Sequence, residues 1–238
     1  MSCYEDIRDF EEKLRSEYQQ EFAAEQKLAG ELFDLYLEAV DITGKQWRLK
    51  PERRATFELM SRIFNDLHAG WKLIMEGISG QGMTLLRDTI ECAHYIKLFE
   101  IDSKSRDEWV KGKDFFLRDV REIMKKKRIS PPPQDQLYKT LSQTYTHPSK
   151  KGTAWHVVDF YPIAQNHEVV CMYGGVEDIR RTRFAALAAL TLTYVTVYFM
   201  WQETFPIDKD TYPAWYRRLV AAEKQLRSLQ AKANQELR

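Results

Sequence analysis

The chain has few of the residues that mark secreted or metal-binding proteins. Its 238 residues include three cysteines, Cys3, Cys92 and Cys171, an odd number without C-x-x-C or zinc-ligand spacing. The first residues, MSCYEDIRDFEEK, are acidic and lack the apolar run of a secretory signal. Both features favour a protein of the reducing cytoplasm over a disulfide-bonded secreted scaffold.

The chain also lacks an excess of charge of either sign. Lysine and arginine total 36, aspartate and glutamate total 35, and the formal net charge is +1. No global field therefore attracts nucleic acid or an anionic membrane, so such a role must depend on local patches. With 44% hydrophobic and 30% charged residues, the composition is that of a globular protein, and we expect one domain over residues 1–238.

Long uncharged runs are scarce, and the clearest one covers residues 184–201, FAALAALTLTYVTVYFMW. Its 18 residues approach the length of a membrane-spanning helix. Three threonines and two tyrosines lie inside it, and we find no second span. A helix that is apolar on all sides also suits the centre of a soluble bundle. We favour the core helix and expect no membrane association.

Apolar residues return at helical spacing along most of the chain, which predicts an all-α fold, a bundle of about six to seven helices. Residues 148–175 are richer in Val, Phe and Tyr with turn residues between, so we expect a small β-prone hairpin or loop there. The predicted parts are an N-terminal long helix or helix pair at 1–42, a bundle core at 51–147 and 176–204, the insertion at 148–175, and a C-terminal helix at 210–238.

The strongest chemical pattern lies in residues 85–98, LLRDTIECAHYIKL. At 100° per residue, Arg87, Glu91 and His94 fall on one helix face, within about 60° of one another. Glu91 can hold the Arg87 guanidinium and fix the His94 tautomer, and Asp88 can do so from the side. Arginine suits phosphate recognition and histidine suits proton transfer near neutral pH. The competing interpretation is an internal salt bridge of structural value.

A second imidazole, His147, lies at a predicted helix end, directly before Pro148. If this end folds onto the central helix, His147 joins Arg87 and Glu91 in one polar site; otherwise it tethers a loop. Residues 91–94 supply one Glu-x-x-His pair, but a di-iron bundle needs this pair on two helices. We therefore expect no metal site and no cofactor.

The spacing of Arg87, Asp88 and His94 resembles the signature of HEPN-domain proteins, in which an arginine and a polar residue precede a histidine. The resemblance implies a helical bundle, a homodimer that brings two such motifs together, and in many members ribonuclease activity in toxin–antitoxin or anti-phage systems. The chain also resembles a family of bacterial helical proteins of unknown function, through Arg87, Glu91, Tyr138 or Tyr145, and the pair His147-Pro148. That second pattern makes His147, and not His94, the significant imidazole.

These patterns predict a metal-independent RNA-cleaving protein of a defence system, with RNA and an antitoxin-like protein as partners. In this hypothesis Arg87 stabilises the transition state, His94 or His147 moves protons, and Glu91 or Asp88 orients them. The alternative is a non-catalytic interaction or scaffold module. The basic run at 125–128 is either a solvated helix end or part of a phosphate-binding groove.

Overall fold

A computed structural model describes residues 3–47, 50–142, 157–163, 166–171, 179–204, 207 and 209–236. The helices before the strands are α1 (Cys3–Glu21), α2 (Ala23–Trp47), a 3-10 turn (Pro51–Arg53), α3 (Arg54–Met75), α4 (Ser79–Ile101), α5 (Ser103–Val110), α6 (Leu117–Lys126) and α7 (Asp135–Leu141). The strands β1 (Val157–Ile163) and β2 (Asn166–Cys171) precede α8 (Ile179–Glu203) and α9 (Pro213–Glu236).

The all-α class is confirmed, but the described residues form nine α-helices where about six to seven were predicted. The N-terminal segment forms a helix pair, one of the two forms predicted for it. The boundary between the two helices falls at Phe22, and α2 runs through Gly30 without a break. The backbone hydrogen bond from Phe22 to the Tyr18 carbonyl, at 2.9 Å, keeps the two helices nearly continuous. Gly30 is exposed, so the glycine weakens the helix there without interrupting it.

A second boundary separates α5 from α6. Gly112 has a φ of +91°, and the N–H of Lys113 donates to the Glu108 carbonyl at 3.0 Å. This is a Schellman ending, which glycine allows without steric cost. The Asp119 carboxylate then accepts the N–H of Phe116 at the start of α6. A local turn therefore overrides the apolar periodicity that continues across it.

The two strands pair antiparallel, with Val157 opposite Cys171 and Ile163 opposite Asn166, and the register is irregular between Val157 and Asp159. They lie in the segment predicted to be β-prone. The remaining residues of 148–175 lie outside the described part of the chain.

Helices α3 and α4 form an antiparallel hairpin with the most extensive packing between any two described helices. Gly77, at φ +80°, follows the end of α3, and Ser79 already belongs to α4, so the turn between the two helices is short. Farther along, Gly70 and Gly82 face each other. A Cβ built on Gly82 would lie 2.6 Å from the Gly70 carbonyl oxygen. The two backbones therefore pack at a distance that excludes any larger residue.

Helix α8 is the centre of the bundle and packs against α2, α3, α4 and α9. Ala185, Ala186 and Ala189 are buried, as their small size predicts for close helix packing. Among the described residues, α8 is the one helix long and apolar enough to cross a membrane, and 56% of its apolar stretch is buried inside the bundle. This burial is consistent with the core helix of a soluble protein.

Helix α9 closes the bundle against α2. The indole N–H of Trp215 donates to the Leu35 carbonyl at 3.0 Å, and both residues are buried. Arg218 pairs with Glu31 at 2.7 Å and with Glu38 at 2.6 Å. Polar contacts thus fix the register of two helices that already share apolar surface.

Candidate functional site

The central helix α4 directs one face into the core and another towards α6 and α7. Leu86, Ile90 and Ala93 are buried on the first face. Arg87 and Glu91 lie on the second and are partly exposed, with 22% and 25% of their side-chain surface accessible. The predicted division of this helix into an apolar and a polar face is therefore present.

Arg87 and Glu91 form the innermost contact of the site. One guanidinium nitrogen of Arg87 lies 2.7 Å from Oε1 of Glu91, one helical turn away. The hydroxyl of Tyr138, from α7, donates to the same oxygen at 3.2 Å. Glu91 therefore holds an arginine of its own helix and a tyrosine of another.

Arg121, from α6, brings a second guanidinium to the same tyrosine. Its Cζ lies 4.5 Å from the centre of the Tyr138 ring, and the Cζ of Arg87 lies 5.7 Å from it. Such cation–π contacts fix both arginines while leaving part of each exposed. Arg121 also forms an ion pair with Asp135, at the start of α7.

His94 lies under this cluster and has no exposed surface. Its Nδ1 donates to the Ile90 carbonyl at 2.8 Å, which fixes the tautomer. Nε2 lies 3.0 Å from Oδ1 of Asp135 but forms no hydrogen bond with it. Burial lowers the pKa of His94, and nearby Arg121 acts in the same direction, whereas Asp135 and the Ile90 carbonyl oppose the shift.

The expected contact between Glu91 and His94 is therefore replaced by other partners. The tautomer of His94 is set by the Ile90 carbonyl, and the nearby carboxylate belongs to Asp135. The three polar residues of α4 do share a face, but α6 and α7 cover its His94 end. His94 is enclosed, while Arg87 and Glu91 remain accessible.

Asp88 faces α3 instead of the Tyr138 cluster. Its Oδ2 lies 3.4 Å from Arg62, and its Oδ1 lies 3.9 Å from the Nε of Arg87. Arg62 also approaches Asp66, with Nε 3.6 Å from Oδ2. Burial raises the pKa of Asp66 to about 6, although Arg62 opposes the shift. Asp88 thus lies between Arg87 and a second charged cluster, formed by Arg62 and Asp66 of α3.

The other predicted residues of the site lie outside the described residues. His147 and Tyr145 belong to 143–156, so the structure gives no geometry for them. Tyr138, the other tyrosine named by the resemblance, belongs to the described residues, and its hydroxyl contacts Glu91. Within the described ranges, no three His, Cys, Asp or Glu side chains converge as a metal site requires. Cys92 is buried as a free thiol, and burial raises its pKa to about 12.

An open groove of about 340 Å³ borders the cluster between α6 and α7. Its lining residues are Leu117, Arg118, Arg121, Glu122, Lys125 and Tyr138. Arg121 and Tyr138 belong to both the groove and the polar cluster. A ligand that lies in the groove therefore approaches the Arg87–Glu91 pair from outside.

Two residues of the cluster, Arg121 and Asp135, were not identified from the sequence. Neither lies at helical spacing from Arg87 or Glu91, because they belong to α6 and α7. Asp135 is a typical acidic residue of a first helical turn, and Arg121 is one of several charges on its helix. Only the packing of these helices on α4 brings them together.

The arrangement can bind and stabilise a negatively charged group. Two arginines, whose side chains are partly exposed, are held by a tyrosine, a glutamate and an aspartate beside an open groove. Planar guanidinium groups suit phosphate oxygens better than isolated ammonium groups do.

Comparisons with known proteins add no relative: no family model matches the chain, and no curated protein or solved structure is significantly similar to it.

Proposed function

We propose that the chain is a HEPN-like protein that binds and cleaves RNA without a metal ion, in a toxin–antitoxin or anti-phage system. The observation that carries this proposal is the pair of guanidinium groups, Arg87 and Arg121, placed at one tyrosine ring beside a groove. Arginines positioned in advance stabilise the charge of a five-coordinate phosphorus more than solvated ones can.

In the proposed reaction, the ribose 2′-oxygen attacks the adjacent phosphorus while a base takes its proton. The bond from phosphorus to the 5′-oxygen breaks, the leaving oxygen takes up a proton, and a 2′,3′-cyclic phosphate remains. Arg87 stabilises the crowded phosphate, and Glu91 orients Arg87. Because His94 is enclosed, we give the proton transfer to His147 and a positioning role, beneath Arg121 and Asp135, to His94.

The proposal includes the cytoplasm as location, a homodimer that brings the Arg87–Glu91 pairs of two copies together, and an antitoxin-like protein that restrains the activity. A dimer of this kind places two Arg87–Glu91 pairs at one RNA strand. Light scattering of the purified chain measures the mass and separates a dimer from a monomer.

The first experiment compares RNA cleavage by the wild-type chain and by Arg87→Ala, in EDTA and at equal folded content. We expect the substitution to slow cleavage by about 100-fold or more, because it removes a charge that acts in the transition state. Arg54→Ala is the matched control, since Arg54 pairs with Glu58 at the same spacing on α3, at 2.8 Å. The helical circular dichroism of each variant is measured as well, so that lost activity in an unfolded variant is not counted as a catalytic effect.

The proton carrier is tested by chemical rescue. We expect His147→Ala to lose cleavage and added imidazole to restore part of it, because a free imidazole can replace a side chain that meets the substrate. RNA left intact by folded wild-type protein contradicts the whole proposal. Activity that His147→Ala retains in full contradicts only the assignment of the base.

A second candidate is a non-catalytic interaction module, which the contacts within the cluster favour. Asp135, Glu91 and Tyr138 each contact at least one arginine, and His94 is enclosed. In that case Arg87→Ala lowers the melting temperature, and the wild-type chain does not cleave RNA. The same assay thus separates the two functions.

A further inference from the structure

The cations of α6 form a row along the groove. Arg118, Arg121 and Lys125 lie three and four residues apart and line the same side of the helix. The row spans about 10 Å along the helix axis. Arg118 is 82% exposed, with one contact to the neighbouring Asp119 at 3.6 Å. Lys125 is exposed and forms no ion pair with any residue that the structure describes. These charges are available to an anionic ligand.

Arg121 gives the middle of this row a flat surface. Its guanidinium lies over the Tyr138 ring, and 38% of its side chain is exposed in the groove. A guanidinium plane supported by an aromatic ring can stack with an unpaired base. A base in a duplex is already stacked on both sides, so this surface selects single strands.

The end of α6 retains positive charge at a conformational cost. The Schellman endings of α3 and α5 have glycine in the left-handed position, Gly77 and Gly112. In α6 the same position is Arg128, at φ +58°, and the N–H of Ile129 donates to the Met124 carbonyl at 2.8 Å. Arginine in this conformation costs on the order of 1 kcal/mol relative to glycine. Lys126, Lys127 and Arg128 thus keep positive charge at the end of the helix, beyond Lys125.

From these observations we infer that the groove between α6 and α7 binds single-stranded RNA, with phosphates on Arg118 and Lys125 and a base on Arg121. The inference rests on the proposed function for the choice of RNA as the strand. The inference goes further than the proposed function because it names the residues that hold the strand. These residues line the groove and do not include Arg87 or Glu91. Glu122, which also lines the groove, opposes the binding of any anion there.

The experiment measures binding without cleavage. The probe is a fluorescent single-stranded oligouridine with 2′-O-methyl groups, which has no free 2′-hydroxyl and cannot be cut by the proposed reaction. We expect the double variant Arg118→Gln/Lys125→Gln to bind at least roughly tenfold more weakly, and its slope of log K against log salt to be smaller by about 1.4. Glu122→Gln should bind more tightly than wild type.

The matched control is Lys27→Gln/Lys224→Gln, which removes two exposed cations on α2 and α9, outside the groove. The inference is overturned if the wild-type chain does not bind the probe, if both double variants lose affinity equally, or if a duplex of the same length binds as well as the single strand. Binding as expected without cleavage of ordinary RNA rejects the proposed function and keeps the groove. If the wild-type chain cleaves RNA and the groove variant binds the probe with unchanged affinity, the groove is rejected and the proposed function is kept.

Discussion

Asp66 is a partly buried carboxylate whose negative charge is poorly neutralised by its neighbours. Its Oδ2 is buried without a hydrogen bond, and the nearest cation, Arg62, is 3.6 Å away. Burial raises the pKa of this carboxyl from its ordinary value of 3.8 to about 6. The folded chain therefore binds this proton more tightly than the unfolded chain, and the charged carboxylate opposes folding at neutral pH.

We predict that Asp66→Asn raises the free energy of unfolding at pH 7 by about 1 kcal/mol, because it removes a buried charge. In the wild-type chain, this group should add stability as the pH falls from about 6 to 3.8, a contribution that the variant lacks. Urea denaturation at pH 7 and pH 5 measures both effects. Asp88→Asn is the control, since Asp88 faces the same arginine but is more exposed. A variant less stable at pH 7 would contradict the prediction.

At the scale of residues, the sequence predicts contacts within one helix and misses those between helices. The Arg87–Glu91 pair follows from its spacing of four residues, and it is present at 2.7 Å. The burial of His94 depends on where α6 and α7 pack, and no spacing within α4 contains that information. The pairing of Arg121 with Asp135 was missed for the same reason.

Two glycines in helices have opposite structural roles. Gly30 is exposed in α2, and a Cβ added there would meet no atom within 4 Å. Gly82 in α4 faces Gly70, and an added Cβ would lie 2.6 Å from a backbone oxygen. The first glycine only weakens its helix, whereas the second allows α3 and α4 to pack closely.

We predict that Gly30→Ala stabilises the chain by about 0.5–1 kcal/mol and that Gly82→Ala destabilises it by about 1–3 kcal/mol. The reasons are helix propensity in the first case and a backbone clash in the second. Thermal denaturation of the two variants beside the wild type gives both signs in one experiment. A Gly82→Ala variant as stable as the wild type would show that the α3–α4 crossing is not as close as described, and a destabilised Gly30→Ala would contradict the first prediction.

At the scale of elements, periodicity predicts which segments are helical but not where each helix ends. The division of α5 from α6 depends on Gly112, whose positive φ is one option among several for a glycine in a polar segment. The buried helix α8 was correctly placed, because a long apolar run has few alternatives in a globular chain.

At the scale of the whole molecule, Arg183 of α8 contacts parts of the chain that are distant in sequence. It forms ion pairs with Glu21 of α1 and with Glu236 of α9, and its Nε lies 3.8 Å from Glu25 of α2. The ring of Phe22 lies 5.3 Å from its Cζ. One guanidinium, with 17% of its side chain exposed, thus connects four helices.

We predict that Arg183→Met lowers the free energy of unfolding by about 2–3 kcal/mol, because Glu25 would remain buried without its cation. Glu236→Gln removes an exposed partner of the same arginine and should cost under about 1 kcal/mol. Chemical denaturation of both variants measures the difference. Equal losses would mean that the exposed pairs, and not the buried carboxylate, determine the contribution of Arg183.

The closure of α9 over α2 also constrains the order in which the protein can fold during its synthesis. Trp215 and Leu35, which are joined by a hydrogen bond, are 180 residues apart in sequence. Leu28, Leu32 and the neighbouring apolar surface of α2 pack in a cluster with residues of α8 and α9. These side chains therefore remain in contact with water, or with a chaperone, while the ribosome makes most of the chain, and native burial is completed only after α9 emerges.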